Sequence, residues 1–335
     1  MNGRTVRWLM SFGHRSGPVR SPRLTIIRHH RVFAEGEAPL YRIGVSESVL
    51  ARQLALLARM GRAPLTVSDA LARLAEGRPG RWFAMTFDDG YADNVTRALP
   101  LLEAHGARAT FYLTAGLMES RRAPWWDELA HRLEAGGRDV VRFEWEGRAQ
   151  ILELGSRAGR ATALHALLPA FRTTPDRQEA LLEALGRATG ASDAAPCRLA
   201  TWDQAAELAG HGMEIGAHTM GHPFLSLLEP ERQRAEIAES IALIETRLGV
   251  RPAGLAYPGG DHDARTLAVI PGTGLAHAVT TRAGDAGPGG GRFELPRRGL
   301  PEGACLGPTG RFSARLARAE LDGAFDRMRA GRAAA

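Results

Sequence analysis

The chain is 335 residues long, 44% hydrophobic and carries a net charge of +6, a balance that suits a folded protein with a sizeable core and argues against wholesale disorder. All 43 basic residues are arginines, and no basic stripe with interleaved aromatics occurs, which discounts nucleic acid as a partner and leaves an anionic substrate or a membrane surface open. Cys197 and Cys305 stand alone and far apart, so no disulfide framework is expected. The apolar run from Trp8 to Phe12 is too short for a signal-peptide core, and no segment is long enough to span a bilayer. The expected location is the cytoplasm, with peripheral association at the inner membrane face left open; the oligomeric state is not legible.

Residues 1–22 carry Arg, Ser and Pro with little periodicity and read as a loose arm. Leu24 to Ile27 is the first strand candidate and ends at Arg28-His29-His30. A helix is predicted from Ser46, with Val49, Leu50, Leu54, Leu57 and Met60 at helical spacing and Gly61 as its stop; a second covers Val67 to Leu74. Trp82 to Phe87 reads as a buried strand running straight into Asp88-Asp89-Gly90-Tyr91. A helix over 95–104 and a strand over 109–114 complete a parallel βαβ unit.

The rhythm then breaks. Pro124-Trp125-Trp126-Asp127-Glu128 opens helical pattern and loop running to about Pro196, which reads as a mainly helical insertion (119–198) in a main domain spanning 23–310. Trp125 and Trp126 suit either a sugar-stacking platform or the cement between insertion and body. Thr201 restarts the main domain with a capped helix, and a strand from Met213 to Ala217 ends at His218-Thr-Met-Gly-His222-Pro223. A helix from Pro230 to Leu248, strands at 253–257 and 277–281, a glycine-rich loop at 285–291 and a short final strand at 293–298 follow. The terminal segment 311–335 holds a last helix from Ser313, with Leu316, Leu321, Phe325 and Met328 on one side and 329–335 expected to fray. Unusual polar residues gather just after strand ends, which favours an α/β fold of the β/α-barrel kind, with its site at the carboxyl-end rim, over an open doubly wound sheet.

Two adjacent carboxylates at the end of a hydrophobic strand are expensive to desolvate unless metal, hydrogen bonds or water compensate. An isolated Asp-Asp-Gly is more often a solvated turn. Here it is joined by His218 and His222, four residues apart, where Pro223 disfavours a helix and a tight strand-to-helix turn lets both rings converge. Two histidines, one carboxylate and an open position make a catalytic metal set.

On these residues the chain resembles the polysaccharide deacetylase family, carbohydrate esterase family four. Thr86-Phe-Asp-Asp-Gly-Tyr91 matches the family's first motif, His218 to Pro223 the second, and Tyr257-Pro258-Gly259-Gly260 a divergent third. The resemblance covers about Leu24 to Leu300 without the insertion. The Trp-Trp-Asp-Glu insertion and late Leu-Pro-Arg are similar to a subgroup tied to cell-surface polysaccharide assembly. It implies a distorted (β/α) barrel and a metal-dependent hydrolase that removes an N-acetyl group from an amino sugar in a glycan, glycolipid or glycoside. The implied cofactor is zinc or another divalent metal, held by Asp89, His218 and His222, with Asp88 as the base. Backbone near Tyr257 to Gly259 is the expected oxyanion donor, and Tyr91, Trp125, Trp126, Tyr257 and Gly259 are the expected substrate contacts.

Two departures from the family pattern carry expectations of their own. Ala256 stands where an arginine usually braces the catalytic Asp, and Arg297 of the Leu-Pro-Arg is expected to supply that charge. The late Leu-x-His that provides the general acid is missing after residue 298, so His30 is expected to take the role, kept protonated by a nearby carboxylate; His262 and His277 are weaker candidates, and His29 could share the role. Two other readings remain: hydrolysis of another small amide, such as an N-formyl sugar or a ring amide, and carbohydrate binding without turnover.

Overall fold

A computed structural model describes residues 3–17, 19, 21–145, 148–191, 193–326 and 328. In chain order the strands are β1 (Pro22–His29), β2 (Arg31–Phe33), β3 (Gly44–Ser46), β4 (Gly80–Phe87), β5 (Thr110–Leu113), β6 (Val140–Trp145), β7 (Arg148–Glu153), β8 (Glu214–Ala217), β9 (Gly254–Ala256), β10 (His277–Val279) and β11 (Arg298–Gly299). Seven of them form one parallel sheet in the order β10-β9-β8-β5-β4-β1-β11. Its longest pairing is β1 with β4, in register from Pro22↔Gly80 to His29↔Phe87. The apolar residues of both strands are buried in an unbroken run rather than alternately, as a parallel sheet covered by helices requires.

The sheet curls until its ends nearly meet. Ala278 N–H donates to Arg292 O (2.8 Å), Leu295 N–H to Ala278 O (3.0 Å) and Thr280 N–H to Leu295 O (2.9 Å), so the segment after the glycine-rich loop runs beside β10. Three residues after Leu295, β11 pairs with β1 at Ile27↔Arg298. The result is a distorted (β/α) barrel. The single final strand expected over 293–298 is therefore split between two neighbours; Pro296, with no N–H to give the ladder, sits at the break.

Covering helices follow their sequence signals. Thr66 caps Val67–Ala75 through Asp69 N–H, Thr201 and Gln204 form a capping box on Trp202–Gly210, and Gly249 at φ 66° ends Pro230–Leu248. The expected loose arm over 1–22 is corrected. Gly3–Gly13 is a helix, and Pro22 already belongs to β1. It packs on the C-terminal helix Ala314–Leu321, with Arg7 3.0 Å from the buried Glu320. A helix this short is marginal alone and is held by such packing, which local periodicity does not reveal. Leu316, Leu321 and Phe325 are buried as expected, Met328 is exposed, and the expected fraying at 329–335 lies outside the described residues.

Between β5 and β8 the helices Trp125–Ala135, Arg157–Thr173 and Gln178–Thr189 surround a core of their own, including Leu129, Leu133, Leu164, Phe171, Leu181 and Leu185. The stretch is less helical than expected, because β6 and β7 form an antiparallel hairpin from Val140↔Glu153 to Trp145↔Arg148. Only Val141 of β6 is fully buried, so its period-two signal is faint among the surrounding helices. Among the described residues no helix is long and apolar enough to cross a membrane.

Candidate active site

The polar motifs sit where β4 and β8 end at the rim. Asp88 N–H donates to His29 O (3.0 Å), after which Asp89 adopts φ 74° and Gly90 φ 79°, turning the chain sharply out of the strand. On the other side of β5, His218 N–H donates to Leu113 O (2.9 Å), and Thr219 and His222 take φ 64° and 60°. The turn is held from several directions. Thr219 Oγ1 accepts from His222 N–H (3.0 Å), Glu236 Oε2 accepts from Met220 and Gly221 N–H (2.9 and 3.0 Å), and Ala115 N–H donates to Thr219 O (3.1 Å). Among the described residues, three of the four non-glycine residues with positive φ thus lie in these two motifs, and strain of this kind persists only where the surroundings over-determine it.

These turns bring Asp89, His218 and His222 together. His218 Nδ1 lies 2.6 Å from Ala256 O, which assigns the ring proton to Nδ1 and leaves Nε2 bare, 3.4 Å from Asp89 Oδ1. His222 Nε2 is 3.6 Å from the same oxygen, and one ligand atom from each residue lies within 4.8 Å of the others. Asp89 Oδ1 is buried and accepts no hydrogen bond. That is a costly state for a carboxylate oxygen unless a cation sits against it. Donor atoms at tetrahedral corners, bound at about 2.1 Å, lie about 3.4 Å apart, so the residues fit a zinc-like divalent ion. Burial, with His218 adding to it, holds His222 down to about 3, so its ring is neutral. Burial pushes Asp89 upward, but the neighbouring His218, His30 and His222 rings leave its carboxyl below the ordinary value. Asp89 ionised and His222 neutral are the states that metal ligands require.

Asp88 has a different partner. Both terminal nitrogens of Arg297 reach its carboxylate, at 2.6 and 2.7 Å, while Arg297 Nε donates to Thr280 O (2.8 Å) and a terminal N–H to Thr86 Oγ1 (3.0 Å). Arg297 is 1% exposed, and it fills the charge that Ala256 lacks. Burial would raise Asp88, yet the Arg297 charge and hydrogen bonds hold it well below the usual carboxylate range. Arg298 turns the other way, to Asp285 (2.8 Å) and Asp326 (2.5 Å). His30 Nε2 stands 4.0 Å from Asp88 Oδ2. Burial lowers His30 more than Asp89 and Asp88 raise it, so the expectation of a protonated His30 is corrected: the ring is neutral at pH 7. The other candidates lie off the cleft, His29 buried and stacked on Phe87, His277 buried beside the Tyr112 hydroxyl, and His262 bound to Gly260 O.

A cleft of about 350 Å³ opens over this group, lined also by Trp125, Trp126, Gly259, Thr281, Phe224, Ile43, Tyr41, Arg28 and Arg172. Tyr91 and Tyr257 are not among its walls, and both are corrected as substrate contacts. Tyr91 is fully buried, its hydroxyl donating to Asp127 Oδ2 (3.1 Å) and accepting from Trp126 Nε1 (2.7 Å). Tyr257 is fully buried, stacked on His262 with its hydroxyl on Phe293 O (2.8 Å). Trp126 is only 3% exposed and packs edge-to-face on His222 at 4.4 Å, so it braces a ligand candidate; Trp125 is half-buried and stacks on Phe171.

Of the expected oxyanion donors, Tyr257 N–H is taken by Val279 O (3.2 Å), Pro258 has none, and Gly259 remains. Gly259 sits at φ 62°, where a Cβ would meet the Phe224 ring at 2.5 Å. Tyr41, Arg28 and Arg172 were not singled out by the sequence. Arg28 had a signal, lying at the end of β1 two residues before His30, a spacing that puts two residues of an extended chain on one side; Arg172, in the last turn of an insertion helix, had none.

Comparison with known proteins agrees with this geometry. The family model described as polysaccharide deacetylase matches residues 75–278, more than half of the chain. YxkH of Bacillus subtilis (strain 168), a polysaccharide deacetylase by provisional assignment, is 34% identical over 97 residues, or 29% of this chain and 35% of that one. The match thus spans about a third of that relative's length. Among solved structures, the Streptococcus pyogenes deacetylase PplD in complex with acetate superposes with TM-score 0.56 at 20% identity, covering 85% of this chain and 94% of that one. IcaB from Ammonifex degensii gives 0.53 at 22% identity over 85% and 92%, and a de-N-acetylase from Aggregatibacter actinomycetemcomitans 0.54 at 14% over 82% and 94%. At these identities the superpositions speak for the fold.

Proposed function

We propose that this chain, which belongs to the polysaccharide deacetylase family, is a metal-dependent hydrolase that removes an N-acetyl group from an amino sugar of a glycan, glycolipid or glycoside. The observation that carries the reading is the buried, bond-free Asp89 Oδ1 facing the Nε2 atoms of two histidines beside a separately braced Asp88. Asp89, His218 and His222 would hold a divalent metal, zinc by the donor set. When bound, such an ion supplies Lewis-acid polarisation of the acyl oxygen and a more acidic water.

The chain's own groups do the rest. Asp88, ionised and fixed by Arg297, takes a proton from the attacking water. Gly259, on the cleft wall, would offer its N–H to the developing oxyanion. As the carbon–nitrogen bond breaks, the amine must gain a proton, and His30, neutral and 4.0 Å from Asp88, is placed to relay it from that carboxyl. Acetate and the free amine are the products. Trp125 and Ile43 offer apolar walls to the sugar ring. A carbohydrate-binding relative without turnover has no use for a buried Asp88–Arg297 pair next to a second, unpaired acid, which favours catalysis.

The test is acetate release from N-acetylated oligosaccharides, followed together with metal content. The zinc-loaded protein should bind one ion, release acetate, lose activity on chelation and regain it with zinc. His218→Ala should abolish metal uptake. Full metal occupancy without acetate release from any N-acetylated sugar would overturn the reading.

A further inference from the structure

Two cations of the cleft are left over from this chemistry. Arg28 and Arg172 both line it with Asp88, Asp89 and the histidines. They come from different parts of the chain, Arg28 from β1 and Arg172 from the helix Arg157–Thr173 of the insertion. Arg297 has its charge matched by Asp88, and Asp89 faces the metal position. Neither Arg28 nor Arg172 has a carboxylate within ion-pair distance among the described residues; Arg172 sits against the Tyr41 hydroxyl, and Arg28 has only the more distant fields of Asp88 and Asp89. Burial and the neighbouring Arg297 charge lower the Arg28 pKa, the direction produced by a counter-anion in short supply.

A half-buried guanidinium without a counter-anion, as Arg28 is, is expensive, and the exposed Arg172, held by the Tyr41 hydroxyl, adds a second positive charge to the same cleft. A neutral N-acetyl sugar does not relieve that cost. Its hydroxyls and amide offer weak, uncharged acceptors, whereas the planar donor fork of arginine matches a carboxylate or a phosphate. With a divalent ion in place the cleft would be more positive still.

We propose that the substrate is an anionic N-acyl amino sugar, carrying a carboxylate or a phosphate ester close to the acylated position, and that Arg28 and Arg172 hold that anionic group. The proposal rests on the deacetylase reading for the amide; the anion site is read from the two arginines themselves.

The probes are N-acetylglucosamine, N-acetylglucosaminuronic acid and N-acetylglucosamine 1-phosphate, titrated calorimetrically into the zinc-loaded 335-residue protein and into Arg172→Gln. At least one anionic sugar should bind about tenfold or more tightly than the neutral one, the size expected of a charge-assisted hydrogen bond. Arg172→Gln should remove most of that advantage; Arg28→Gln should do the same where it folds. Which of the two anions is preferred separates a uronic acid from a sugar phosphate. Equal affinity for all three sugars would overturn the proposal. So would an advantage undiminished in Arg172→Gln, since an anion bound to the metal alone does not sense that side chain. Acetate release, measured alongside, keeps the two claims apart. Tight anion binding without acetate would sink the deacetylase reading and keep the anion site; acetate released from sugars that bind alike would do the reverse.

Discussion

Asp88 and Asp89 are adjacent in sequence, equally buried and chemically identical, yet the backbone turn at Asp89 sends them to different partners. Asp88 meets a guanidinium at 2.6 and 2.7 Å; Asp89 meets two imidazole nitrogens at 3.4 and 3.6 Å. Only the second arrangement leaves an oxygen without a donor, which is why the metal is assigned to Asp89 and the proton to Asp88. Asp88→Asn should therefore cut turnover by a factor on the order of 10² to 10⁴ while leaving one zinc per chain by elemental analysis. Loss of the metal instead would mean that the two acids are assigned the wrong way round. Arg297→Met strands a carboxylate that is 2% exposed, and breaking a buried pair in this way costs about 3–5 kcal/mol. In the double variant Arg297→Met with Asp88→Asn no charge is stranded. Urea denaturation should show the double to be less destabilised than the sum of the singles.

At the scale of elements, the insertion is tied to the barrel at the place where it matters. Trp126 and Asp127 open the helix Trp125–Ala135, and both meet the Tyr91 hydroxyl, three residues past Asp88; Trp126 then lies on His222. Burial, with Asp89 adding to it, raises Asp127 to about 6 from an ordinary 3.8. A carboxyl whose folded pKa is raised contributes stability in its protonated form, fully below about pH 4, and loses it as pH rises through the folded value. Asp127→Asn, which keeps the acceptor for Tyr91 and cannot ionise, should gain about 2 kcal/mol over the wild type at pH 8 relative to pH 4 in metal-free protein. Identical pH dependence of the two proteins by urea denaturation would rule the account out.

The element scale also shows what was readable in advance. The barrel class followed from strands alternating with helices and from polar residues just past the strand ends, and the convergence of Asp89, His218 and His222 from their places past two of those ends. Arg297 was legible because the position of Ala256 left a charge to be found elsewhere. Tyr91, Arg28 and Arg172 were not, since their roles depend on which way a side chain leaves its element and on an insertion docked across the rim. The neutral state of His30 was equally hidden, because desolvation is a property of the assembled cleft.

Over the whole molecule, the cleft and the stabilising charges occupy opposite faces of the same closing strand. Arg297 and Arg298 are neighbours, and strand alternation sends one inward to Asp88 and the other outward to Asp285 and Asp326. Asp285 also accepts from Thr25 Oγ1 (2.9 Å). Arg81 bonds Thr25 and Asp322, and Asp322 in turn receives His14. This network joins β1, β4, the loop before β11 and both chain ends, and none of its members lines the cleft. It closes the barrel where hydrogen-bonded pairing is short, since β11 contributes only two residues to the sheet. Two adjacent arginines should thus have separable effects. Arg298→Met withdraws one guanidinium from Asp285, which keeps Arg23 at 3.5 Å and Arg81 at 3.7 Å, and should cost about 1–2 kcal/mol by urea denaturation, well below the value for a stranded buried charge. It should leave kcat/KM within about twofold at 25 °C, because small shifts behind the sheet are absorbed before they reach Asp88. Arg297→Met should lose stability and turnover together. If Arg298→Met lowers kcat/KM as far as Arg297→Met does, the two faces are mechanically one, and the separation of catalysis from closure is wrong.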